Sequence, residues 1–225
     1  MSGHTPEISH LSQIDPVMKR LIEEIGLYAL PPRLSRSPFE SLVRAIASQQ
    51  LHDKAAESIL KRFIALFPGR RFPRPSEVLA ITPDMIRGTG FSHAKIAARH
   101  DLAAKAIDGT VPTSSVIRRL ADEAIVERLI EVRGIGRWTV EMLLIFQLGR
   151  PDVLPVDDFG VRNGFRIAYN RQAMPTPKEL LGYGERWRPY RTAASWYLWR
   201  ASEGAKAVRL VGPVRKPSTK RASDG

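Results

Sequence analysis

The residues of this chain that could do chemistry crowd into one stretch. Pro155-Val156-Asp157-Asp158-Phe159 sets two adjacent carboxylates at the start of a helical run. A carboxylate held there can stabilise developing positive charge and orient or deprotonate water, or it can serve only as a helix cap. Upstream lies Arg133-Gly134-Ile135-Gly136, a tight turn between two apolar runs. Leu129, Ile130 and Val132 precede it; Trp138, Val140, Leu143, Leu144 and Phe146 follow. Two glycines allow positive φ and close approach to a partner, and Ile135 can plug between the arms. The amides of such a hairpin, with the unpaired N–H groups of the next helix, make an anion site suited to one phosphate. From the residues alone the turn could equally be a structural corner.

The elements that must position these groups read as helices throughout. Asp15-Pro16 is an N-cap with proline at the first helical position, and Val17, Met18, Leu21, Ile22 and Ile25 keep helical spacing until Gly26. Ser37-Pro38-Phe39-Glu40 reads as a capping box for a helix whose buried face is Phe39, Leu42, Val43 and Ile46. That run breaks at Ser48-Gln49-Gln50-Leu51-His52, and Asp53 is placed to cap a second long helix ended by Pro68-Gly69. Short helices are expected at Ser76–Ala80 and, capped by Thr82, at Pro83–Ile86; a long alanine-rich one runs from Ser92 to Asp108. A helical patch after Thr113 leads into the first hairpin arm, Asp122–Val132. Later helices are expected at Phe159–Tyr169, Thr176–Leu181 and Pro189–Glu203. No segment alternates with a period of two, so strand content should be near zero.

Composition narrows the partner and the compartment. The 225 residues are 43% hydrophobic, enough for a packed core, and contain no cysteine. Disulfides, a thiolate-held zinc and an iron–sulfur cluster are therefore excluded. No apolar run approaches a membrane span, and the start MSGHTPEISH lacks a signal-peptide pattern, so a cytoplasmic protein is expected. Thirty-five Lys plus Arg against 23 Asp plus Glu give a net charge of +12, which points to a polyanion. Part of that surplus lies in Arg215, Lys216, Lys220 and Arg221, a solvated tail.

The hairpin, a Trp two residues after its second glycine, a Gly/Pro-containing loop and the acidic pair together resemble the helix-hairpin-helix/GPD superfamily of DNA glycosylases. Within it the likeness is to the 3-methyladenine DNA glycosylase II (AlkA/Mag-like) branch, and it extends from about Ser37 to Glu203. The resemblance implies an all-α fold of two helical lobes with the catalytic cleft between them. The divisions expected are 1–36, with a helix packing on the C-terminal lobe; 37–121, a helical lobe with a loop that plugs the minor groove; 122–208, the hairpin and catalytic lobe; and 209–225, a basic disordered tail.

It further implies that Asp158 is the catalytic aspartate, matched through the following Phe-Gly-Val, with Asp157 as a helix cap or a partner to it. Trp138 stands where bifunctional relatives place a Schiff-base lysine, which implies a monofunctional enzyme that uses water and does not nick the strand. Trp138, Met142 and Trp199 match the base pocket, Met142 replacing a tyrosine of some relatives, while Trp196 is expected in the core. Gln49, Gln50, Leu51 and His52 are expected to plug the gap left by the flipped nucleotide. The amides of Gly134 and Gly136, with Thr139, are expected to hold a phosphate, and the carbonyls of Ile130, Val132 and Ile135 a structural Na⁺ or K⁺ ion. No cofactor is expected for catalysis. The expected function is hydrolytic excision of 3-methyladenine-type alkylated purines from double-stranded DNA by a monomer. A non-catalytic helix-hairpin-helix DNA-binding module, or a glycosylase for another lesion, stands as the alternative.

Overall fold

A computed structural model of the chain describes residues 5–32 and 35–211, with side chains as far as Gly204. The expected basic tail falls almost wholly outside these residues. Every regular element among them is helical: α1 (Pro6–Ile14), α2 (Pro16–Ile25), α3 (Pro38–Ser48), α4 (Asp53–Ala65), α5 (Pro75–Ala80), α6 (Pro83–Gly88), α7 (His93–Ile107), α8 (Ser114–Ile117), α9 (Asp122–Leu129), α10 (Arg137–Phe146), α11 (Phe159–Ala168), α12 (Pro177–Gly184), a 3₁₀ turn Glu185–Trp187, and α13 (Arg191–Val211). They gather into two compact units. One takes the residues up to Tyr28, Val156–Arg188 and those from Ala193 onward; the other takes Ala29–Pro155 and Pro189–Thr192.

The first unit is tied together by a buried acid. Asp15 caps α2, its Oδ1 accepting from the amides of Val17 (3.0 Å) and Met18 (3.3 Å). Its Oδ2 accepts from Tyr169 Oη (2.6 Å), Tyr183 Oη (3.4 Å) and Trp187 Nε1 (3.0 Å). Five donors compensate for the removal of this carboxylate from water. Burial, and then Asp15 itself, hold the Tyr169 phenol far above its usual range, so it remains a donor. Helix α1 was not legible in the sequence, because only Ile8 and Leu11 of its nine residues are buried anchors. It is held by packing on the Glu185–Trp187 turn.

Helices α11 and α13 approach until their backbones touch. A Cβ added to Gly164 would lie 1.9 Å from the carbonyl oxygen of Leu198. Val161, Phe165 and Ala168 of α11 and Ala193, Ala194, Tyr197 and Leu198 of α13 are buried. Trp196 is core, as expected, packing edge-on to Tyr28 at 5.6 Å.

In the second unit α3, α5 and α6 pack on α7, α4 packs on α3, and α10 packs on α3 and α9. Phe63 makes edge contacts with Phe67, Phe72 and Phe91. The wholly buried Arg99 lies over the rings of Phe91 (3.3 Å) and Phe63 (4.2 Å), and burial pulls its guanidinium down to about 9.

Two local expectations are corrected. Asp53 does not cap α4: His52 is the N-cap residue, without a side-chain bond, and Asp53 is the first helical residue. Only half of the capping box on α3 forms. Ser37 Oγ accepts from the Glu40 amide at 3.1 Å, whereas the buried Glu40 carboxylate accepts instead from Arg44 Nε at 3.0 Å. The hairpin lies in the same compact unit as α3–α8. Its second arm, α10, packs on α3, and the Arg133 amide donates to Asp101 Oδ2 on α7 at 2.7 Å.

The contact at Gly164 leaves no space for a methyl group. Gly164→Ala is expected to lower stability by at least about 2 kcal/mol in urea unfolding of the full chain. Gly182→Ala, where a Cβ meets nothing within 4 Å, is expected to be neutral or stabilising by up to about 1 kcal/mol. Equal effects at the two glycines would refute the close approach.

Candidate active site

The hairpin is built from apolar plugs and one left-handed glycine. Leu129, Val132 and Ile135 are buried while Ile130 is exposed, so the turn seats Ile135 between the arms as its spacing predicts. Gly134 adopts φ +78°, a left-handed conformation, with Ala98 Cβ 3.4 Å from where its own Cβ would lie. The Ile135 amide donates to the Val132 carbonyl at 3.0 Å, which leaves that oxygen a second lone pair. Helix α10 starts from Gly136, an N-cap without a side chain to occupy the first-turn amides.

Trp138 is 47% exposed, unusual for an indole on a helix that otherwise buries Val140, Leu143, Leu144 and Ile145. It lines a cavity of about 580 Å³ together with Gln49, Gln50, Lys95, Thr139 and Met142. Thr139 and Met142 also line a neighbouring cavity of about 660 Å³, whose walls include Leu42, Leu60, Leu143 and Phe146. The Thr139 side chain is itself buried, so any role in anion binding would fall to its amide.

The Ser48–His52 loop divides by function. Gln49 Nε2 donates to the Gly134 carbonyl at 2.8 Å, so this side chain ties the loop to the hairpin. Gln50, Leu51 and His52 are exposed, and Gln50 takes φ +58°.

In the unit containing α11 and α13, Asp158 is the N-cap of α11. Its Oδ1 accepts from the Val161 amide at 2.9 Å and from Trp199 Nε1 at 2.8 Å. The indole N–H can only donate, so the bond fixes both the ring and the carboxylate. Asp157 is exposed and neither caps the helix nor bonds Asp158. Sequence reasoning missed Gly160: a Cβ there would stand 2.8 Å from Trp199 Cδ1 and 3.1 Å from Asp158 Oδ1. The signal was present in Gly160 and Gly164, four residues apart on one helical face.

The arrangement thus offers, in one unit, a carboxylate held by an indole; in the other, an exposed aromatic ring, an uncapped helix start and an exposed polar loop. Among the described residues no cluster of His, Asp or Glu could hold a metal ion, and no helix is long and apolar enough to cross a membrane.

The chain is similar in sequence and fold to known proteins. The chain is 44% identical to DNA-3-methyladenine glycosylase 1 of Schizosaccharomyces pombe over 92% of this chain and 91% of that protein. Among solved structures it is similar to the S. pombe 3-methyladenine DNA glycosylase in complex with abasic DNA, with TM-score 0.79 and 43% identity over 88% of this chain and 97% of that one. It is also similar to a DNA-3-methyladenine glycosidase from Bacillus halodurans, with TM-score 0.83 and 31% identity over 92% and 94%. The profile of the HhH-GPD superfamily matches residues 43–189, which include the Ser48–His52 loop, the hairpin and Asp158. The chain belongs to the HhH-GPD superfamily of base excision DNA repair proteins.

Proposed function

We propose that this protein is a monofunctional DNA-3-methyladenine glycosylase of type II, which extrudes an alkylated purine from double-stranded DNA and hydrolyses its N-glycosidic bond. The observation that carries the reading is the Asp158–Trp199 hydrogen bond, which holds a carboxylate at a helix start in a fixed orientation. Departure of the base builds positive charge on the deoxyribose, and Asp158 stabilises that charge and orients water. Trp138 stacks on the extruded base, and a cationic alkylpurine gains attraction to the ring face that an undamaged base lacks. Met142 supplies an adaptable thioether wall beside it, suited to a range of alkylated rings.

The amides around Gly134, Gly136 and Thr139 would hold one phosphate. A Na⁺ or K⁺ ion would be bound by the carbonyls of Ile130, Val132 and Ile135, where it adds positive charge near that phosphate. Gln50, Leu51 and His52 fill the vacated position in the duplex, Gln49 being committed to the hairpin. One site per chain suffices, so the protein acts as a monomer, in the cytoplasm. Trp138 cannot form an imine, which supports hydrolysis without strand cleavage.

Release of 3-methyladenine and 7-methylguanine from methylated duplex DNA checks this reading. Wild type is expected to release base, and Asp158→Asn to be slower by roughly a hundredfold to a thousandfold. DNA affinity should be unchanged or tighter in the variant, since a negative charge near phosphate is lost. Full activity in Asp158→Asn would refute the assignment, and release by neither protein with DNA binding intact would favour a non-catalytic module. Borohydride added during turnover is expected to trap no covalent enzyme–DNA adduct, and a trapped band on a denaturing gel would refute the monofunctional mechanism.

A further inference from the structure

One face of α7 touches both the plug loop and the hairpin. Near its start, Lys95 Nζ donates to the carbonyls of Ala47 (2.8 Å) and Gln49 (2.7 Å), at the end of α3. A turn later Ala98 meets Gly134. Asp101 Oδ2 then accepts from the Arg133 amide (2.7 Å) and from Lys105 Nζ (3.0 Å), and Lys105 also donates to the Glu131 carbonyl. Residues 95, 98, 101 and 105 recur at three- and four-residue spacing, a single stripe roughly 15 Å long. The Gln49–Gly134 hydrogen bond closes the third side of this frame.

The loop needs such support. A helix end leaves carbonyls unsatisfied, and the usual remedy is a left-handed glycine. Helix α3 has none: the chain leaves it through Gln49 at φ −52° and ψ 127°, and Gln50 carries the left-handed turn at φ +58°. Gln50 and Asn170 are the described non-glycine residues with positive φ. Such a conformation persists where its surroundings impose it. Lys95 supplies the missing cap. Partial burial, and then Arg99, hold its ammonium below the usual lysine range, and the ammonium is bonded to two carbonyls.

We propose that Lys95 is a positioning residue for base extrusion. It fixes the Ser48–His52 loop in its bent form and, through α7, registers the loop against the hairpin that grips the phosphate. The inference rests on the glycosylase reading above. A plug held at a set distance from the phosphate grip meets the gap as it opens, whereas a loose one must be ordered during extrusion.

The test compares wild type, Lys95→Met and Lys95→Arg on a duplex carrying one 7-methylguanine, either paired with cytosine or facing an abasic-site analogue. A base without a partner leaves the stack at lower cost, so the plug matters less there. Single-turnover release from the paired lesion is expected to fall roughly tenfold to a hundredfold in Lys95→Met. Release from the unpaired lesion should fall by less than about twofold, and Lys95→Arg should restore most of the loss. Equal losses on both duplexes, or no loss on either, would overturn the proposal. Should Lys95→Met fail to fold, Gln49→Met, which removes the bond to Gly134, carries the same comparison. Failure of wild type to release base from either duplex would instead sink the glycosylase reading itself.

Discussion

The backbone contact between α11 and α13 is the constraint on which the carboxylate site depends. Leu198 O occupies the space where any side chain at residue 164 would begin, and Trp199 closes on residue 160 in the same way. Two glycines one turn apart therefore set the distance between the helices, and that distance brings the indole N–H of Trp199 within 2.8 Å of Asp158. A larger residue at either position would move the donor away from the carboxylate. Of the two readings of Asp158 open in the sequence, cap or chemical group, the cap is present in the structure. Its Oδ1 caps α11 and accepts from Trp199 at once, so the helix start and the indole together hold the acid in one orientation.

The same unit shows why a buried acid is tolerated elsewhere without chemistry. Asp15 accepts from two amides, two phenols and an indole, all within the range of hydrogen bonds. Such an acid is a structural joint: it fixes the N-terminal helices on the Tyr169, Tyr183 and Trp187 cluster. Arg99 in the other unit is the opposite case, a buried cation resting on aromatic faces. There the ring quadrupoles offset part of the desolvation cost, and the residue beside it on α7, Lys95, directs its own charge to backbone carbonyls. Polar groups inside this protein thus take their roles from their partners, and residue type alone would not separate Asp158 from Asp15.

In the second unit the hairpin, the loop and α7 behave as one assembly because their contacts are to backbone atoms. Hydrogen bonds to Arg133 N, Glu131 O, Gly134 O, Ala47 O and Gln49 O are indifferent to the identity of the side chains presented outward. Trp138, Gln50, Leu51 and His52 are exposed positions of this assembly's hairpin helix and loop.

Much of this was legible in the sequence. Helix periodicity, prolines at first positions and caps such as Asp15, Ser37 and Thr82 are local signals, since each cap bonds an amide within three residues. The glycine hairpin and the acid before Phe-Gly-Val are local in the same sense, and the resemblance they carry led to the superfamily. What the sequence could not determine involves partners far along the chain. Helix α1 packs on residues near 187, and Asp15 meets donors more than 150 positions away. Gln49, read as a plug, proves to be tied to Gly134, 85 residues on. Only the tertiary structure decides such cases, because a side chain's hydrogen-bonding capacity is written in its type, but which donor or acceptor meets it is set by the packing of distant helices.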